Sequence, residues 1–183
     1  MRQITQQAKV NLAAVNYHHG DKQSLYLEIL RRRIQAINQA RLARLEEAEQ
    51  ANGDQPVPLA TLMEILARPL FALYAGSDEN GRHGARLVGR ALVEPLPFMD
   101  PFLAGEFQPG LARFGQALRR HAPELTPEDF LWRFSFIVGA LQHTLATLHR
   151  MKSLTRGICR DNDHTVALPR FVQFATGVFG SRP

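Results

Sequence analysis

Cysteine is almost missing from this chain. Cys159 is the only one, which excludes an intrachain disulfide and fits a reducing compartment. Long apolar runs are missing too; all fall well short of the ~20 residues of a membrane span. No apolar signal region follows Met1-Arg2-Gln3. A cytoplasmic protein with no membrane partner is expected. Period-2 alternation is absent, which argues against strands. There is no G-x-S-x-G elbow, P-loop or dinucleotide fingerprint. The seven histidines show no H-x₃-H spacing: His18 and His19 are adjacent, His143 and His149 are out of register, and the acids do not cluster with them. Arg156 and Arg160 near Cys159 are a setting for a reactive thiol, although a loop cysteine of no consequence is the simpler reading. No enzyme, no cofactor and no metal are expected.

What remains is a helical pattern in 183 residues, 45% of them hydrophobic, enough for a substantial core. The formal charge is +5. Arg2, Lys9, Lys22, Arg31, Arg32 and Arg33 outweigh Asp21 and Glu28 in residues 1–33, so the basic surplus sits in that segment. Apolar residues recur at three- and four-residue intervals. One long helix is predicted from Asp21 to about Gln50, with Leu25, Ile29, Ile34, Ile37, Ala40, Leu42 and Leu45 as its apolar stripe. Asn52-Gly53-Asp54-Gln55-Pro56 ends it. A helix over Leu59–Tyr74 follows, with Pro69 as a kink or break. Gly76–Gly81 reads as a polar loop and Arg82–Val93 as a short helix. Three prolines exclude regular helix from Glu94 to Pro101. Phe102–His121 is mostly helical, with Pro109-Gly110 as an interruption or a start. Thr126-Pro127-Glu128-Asp129 opens the next helix with a cap, a first-position proline and two acids; it runs to about Met151. Thr155–Asp163 is a loop or short turn, and Thr165–Phe179 a last helix. The fold class is all-α.

The most specific stretch is Ile4–Lys22. Ile4 and Ala8 share a helical face, Asn11 is a good N-cap for a helix from Leu12, and Gly20-Asp21 breaks the chain. Two short helices at a steep angle form the helix-turn-helix that sets a recognition helix in the DNA major groove. The order I-x-x-x-A-x-V-N-x-x-x-x-Y-x-x-G-x-K-x-x-L resembles the N-terminal signature of the TetR/AcrR family of bacterial transcription regulators. That resemblance implies a TetR-like fold: a helix-turn-helix segment over 1–33, then a helical-bundle domain over 34–183 that binds an effector and dimerises. It implies DNA-facing positions at Asn11, Leu12, Ala13, Asn16, Tyr17 and His18. Asn16 suits an adenine contact and Tyr17 a phosphate contact. Lys22, at a helix N-terminus, also suits a phosphate. Lys9 and His19 stand where the family usually has glycine and an aromatic residue. The family has a further helix ahead of this motif; starting at Met1, the chain is either an N-terminally shortened version or one without strong DNA binding.

Eight aromatic residues crowd residues 98–136. Their first role is core packing, but an apolar pocket between helices also suits a small-molecule effector. Phe71, Leu87, Phe98, Phe102, Leu111, Phe114 and Phe136 are expected at its wall. Pro127–Ala140 resembles the matching helix of fatty-acid-responsive family members, which implies an apolar effector such as a fatty acid or acyl-CoA, its acidic head met by Arg133 or His143. A homodimer is expected through the last two long helices, on Phe134, Val138, Leu141, Leu145, Leu148, Phe171, Phe174, Val178 and Phe179. The expected function is a repressor released from a palindromic operator by its effector. The alternative is a DNA-silent helical dimer that binds a ligand or partner.

Overall fold

The computed structural model describes residues 6, 11, 13, 17, 20–75, 79–91, 96–159 and 164–180, and every long element among them is helical. Gly20, at φ +68°, takes the left-handed turn that its lack of a Cβ permits. Asp21 then caps helix α1 (Lys22–Asn52), its carboxylate accepting from the Ser24 amide at 2.7 Å. Helix α1 buries Leu30, Ile34, Ile37, Arg41 and Leu45, one stripe at four- and three-residue steps. The predicted stripe is corrected at three places: Ile29 and Ala40 face solvent and Leu42 is only half-buried.

Helix α2 (Leu59–Ala75) lies at the centre and packs against α1 and four later helices. These are α3 (Glu79–Ala91), α4 (Met99–Arg119), α5 (Pro127–Thr147) and α7 (His164–Gly180); a 3₁₀ turn at Leu148–Arg150 and the short α6 (Met151–Leu154) precede the last. Leu62, Met63, Ile65, Leu66, Ala67, Leu70 and Phe71 are all buried, so α2 is enclosed nearly all round. The Phe71 and Phe171 rings meet 6.3 Å apart, and α2 makes its most extensive contact with α7.

Pro101 and Pro109 act differently from the sequence expectation, and of the kink or break expected at Pro69 the break does not occur. Pro69 does not end α2; packing on several sides offsets the roughly 3 kcal/mol that an interior proline costs. Pro101 is the third residue of α4, where amides have no intrahelical partner, so that helix starts at Met99. Pro109 and Gly110 lie inside α4 rather than interrupting it. Helix α3 starts at Glu79, ahead of the expected Arg82, and α5 ends at Thr147, short of Met151. The cap on α5 is as expected: Thr126 Oγ1 accepts from the Asp129 amide at 3.1 Å, with Pro127 behind it.

Candidate functional site

At the N-terminal end, Asn11 Oδ1 accepts from the Ala13 amide at 2.8 Å, a helix-capping bond. Ala13 and Tyr17 are helical and exposed, Tyr17 at 86%. Lys22 is exposed in the first turn of α1. Beside it, hydrogen bonds from the Ser24 amide and hydroxyl hold the Asp21 carboxyl below its ordinary range. Leu12, Asn16 and His18, with Lys9 and His19, lie outside the described residues.

The arginine run serves the body of the protein. Arg31 Nε donates to Glu106 at 2.8 Å and also pairs with Glu28. Its guanidinium sits 5.6 Å over the Phe102 ring, and the Glu106 bond raises its pKa above the usual value. Arg32 donates to Glu28 at 2.8 Å, the chief reason that this carboxyl titrates low. Arg33 reaches α3 at Gly84, where its guanidinium lies 3.1 Å from where a Cβ would stand. These three charges tie α1 to its neighbours and to itself. Gln35 and Asn38 extend the tie: Gln35 donates to the Glu106 carboxylate at 3.3 Å and Asn38 to the Glu106 carbonyl at 2.9 Å. Further along, Arg113 of α4 pairs with Glu49.

The expected effector wall divides. Phe71 and Phe114 are core residues; Leu87, Phe98 and Phe102 are half-buried against that core. Leu111 belongs to α4. Phe136 is 59% exposed and stands against Trp132, ring centroids 5.7 Å apart. Arg133 donates to the Val178 carbonyl at 2.9 Å and so fastens α5 to α7. His143 is exposed and lines a separate open groove of about 760 Å³ between α5 and α7. Leu148, Met151, Val166, Phe171 and Phe174 give that groove its apolar wall, and Ile158 and Cys159 close one end.

Sequence reasoning missed Arg41. It is 7% exposed, the one buried charged side chain among the described residues. Its Nε donates to the Leu66 carbonyl at 2.8 Å, and no carboxylate pairs with it among them. Burial pushes its pKa down to about 10, so it stays charged at neutral pH. It borders a small pocket of about 10 Å³ with Asn38, Leu42, Leu66, Phe107, Gly110 and Phe114. The overlooked signal was a cation at an apolar position of the helical repeat.

Residues 64–177 match the family described as Tetracyclin repressor-like, C-terminal domain. The chain belongs to the Tetracyclin repressor-like family. Its matched span runs from within α2 to near the end of α7 and takes in both the groove and the α4 side of the Arg41 pocket. The C-terminal domains of this family are regulatory. No curated protein matches the chain. Among the described residues of this family member, no three potential ligands gather as a metal site, and no helix is long and apolar enough to cross a membrane.

Proposed function

We propose that this chain is a DNA-binding transcription regulator, a homodimeric repressor that holds a palindromic operator and releases it when an apolar small-molecule effector enters the helical body. Residues 1–33 read DNA; residues 34–183 bind the effector and dimerise. The observation that carries the reading is α1. It starts beside the capped motif and runs unbroken for 31 residues into contact with α2 and α4 of the family domain. A shift of α4 against α1 thereby reaches Lys22 through rigid helix, and a ligand that favours the shifted state moves the population away from DNA binding. The effector belongs between α1, α2 and α4, where Phe114 and Phe107 meet Arg41. The open groove belongs instead to the subunit contact, because it continues the exposed apolar stripe of α5 and α7.

Selection from a random duplex pool, followed by anisotropy at several salt concentrations, tests this. A palindrome should be enriched, with binding that weakens steeply as salt rises. Lys22→Ala should weaken binding to all duplexes and flatten the log–log salt slope by about 0.9. Asn16→Ala should relax preference at one base pair per half-site, by roughly 1–3 kcal/mol. No enriched palindrome, with salt-independent binding, would leave a DNA-silent ligand-binding dimer.

A further inference from the structure

The geometry points to the Arg41 pocket as a carboxylate-binding subsite, in which the terminal guanidinium nitrogens of Arg41 take the acid group of an otherwise apolar ligand. This rests on the effector reading above and names the ligand's chemical class.

Four observations converge. First, the Arg41 side chain is buried, with the Leu66 carbonyl as its hydrogen-bond partner among the described residues. A buried charge is costly unless it is paired, and this one lacks a counter-charge among the described residues. Second, its Nε is occupied by Leu66, which fixes the plane of the fork, and the Arg41 side chain itself lines the pocket. A planar fork with two free donors matches the two oxygens of a carboxylate. Third, the other walls are Leu42, Leu66, Phe107 and Phe114, with Asn38 as the one further polar neighbour. Such a lining accepts an acid with a hydrocarbon body and offers little to a polyanion.

Fourth, the α4 wall is built to yield. The pocket has room for about one water-sized group, so a larger ligand must push a wall outward. Pro109 removes one intrahelical hydrogen bond from α4, and Gly110 beside it adds no Cβ bulk against Asn38. One turn earlier, Glu106 carries the bonds from Arg31, Gln35 and Asn38. Moving α4 at Gly110 thus strains the tie that holds α1. Arg41 lies 19 residues beyond Lys22 on the same helix, about 28 Å along its axis.

The experiment titrates the intact chain, without DNA, with sodium decanoate, sodium acetate and methyl decanoate at constant ionic strength. Calorimetry reads affinity, and the Arg41 Nε–H resonance reads the site in the wild-type protein. Saturable binding of decanoate should move that resonance, and methyl decanoate should bind far more weakly. Arg41→Met should lower decanoate affinity by about ten- to a hundredfold, with Arg41→Lys in between. If acetate binds as tightly as decanoate, the apolar lining contributes nothing and the proposal of an otherwise apolar ligand is overturned. The proposal is overturned if no carboxylate binds, if the ester binds as well as the acid, if Arg41→Met binds decanoate like wild type, or if the resonance stays still at saturation. Operator binding measured separately distinguishes the two readings. A chain that binds a palindrome yet ignores every acid remains a regulator with a different effector.

Discussion

Arg41 occupies a place on α1 where the helical repeat asks for an apolar side chain, between Ile37 and Leu45. A site of this kind trades stability for binding. Arg41→Met should therefore stabilise the chain by roughly 1–4 kcal/mol in urea unfolding, since an apolar residue of similar length removes the cost of burying charge. The pH dependence has a definite sign. Burial lowers the folded pKa to about 10 from the ordinary guanidinium value, so above pH 10 the unfolded chain holds more protons than the folded one and wild-type stability rises. The advantage of Arg41→Met should be flat through neutral pH and narrow above about pH 10. An advantage that is absent at pH 7 would show the guanidinium already neutralised. Asp21 carries the same sign at the acid end: its pKa is lowered in the fold, so its cap is fully present above the ordinary carboxylate value and is lost as acid titrates it. Arg41 was invisible in the sequence because periodicity there was read through Ala40 and Leu42, its neighbours on either side. Only the observed burial shows that the stripe passes through the cation.

At the scale of elements, legibility followed local chemistry. Caps were plain: Asn11, Thr126 and the Gly20-Asp21 break work through atoms within three residues. Helix existence was equally plain, because an apolar face recurs along each segment. Pro101 and Pro109 were misread because local rules assign a fixed penalty and tertiary packing decides whether it is met. At Ile29 and Ala40 the stripe of α1 was placed one residue early, with a measurable consequence. Leu30→Ala should cost roughly 2–5 kcal/mol in urea unfolding, because Leu30 is fully buried, whereas Ile29→Ala should stay within about 0.5 kcal/mol. Equal costs would return the stripe to Ile29. Thr126→Ala should cost about 1 kcal/mol through the lost cap on α5. The partners of the arginine run were not legible. Charge counted along the sequence does not show that Glu106, far away in α4, already answers Arg31.

For the whole molecule the open question is what covers α5 and α7. Of the residues expected at a subunit contact, Leu141, Leu145, Leu148, Phe171 and Phe179 are buried within the chain itself, and Phe134 and Val178 are half-buried against them; those side chains hold the monomer core, and Val138 is half-buried. The exposed stripe is Trp132, Phe136 and His143 on α5, with Val166, Arg170 and Phe174 on α7. Trp132 is 56% and Phe174 51% exposed. Gly139, between Phe136 and His143, and Gly177, just beyond Phe174, are exposed and have no heavy atom within 4 Å of where a Cβ would stand. Large apolar side chains flanking small ones let two helix pairs cross closely, the geometry of a symmetric four-helix contact. Sedimentation should therefore give twice the 20.6 kDa chain mass. Trp132→Glu or Phe136→Glu should yield a folded monomer, while Ile29→Glu, an exposed apolar position on α1, leaves the dimer intact. The groove supplies an independent check. Cys159 lines it and is exposed in the single chain, so a second copy seated there shields the thiol. Alkylation of Cys159 should be slow in the dimer and fast in the Phe136→Glu monomer. Equal rates, with a dimer still present, would move the contact off this face and leave the groove open to a ligand of its own.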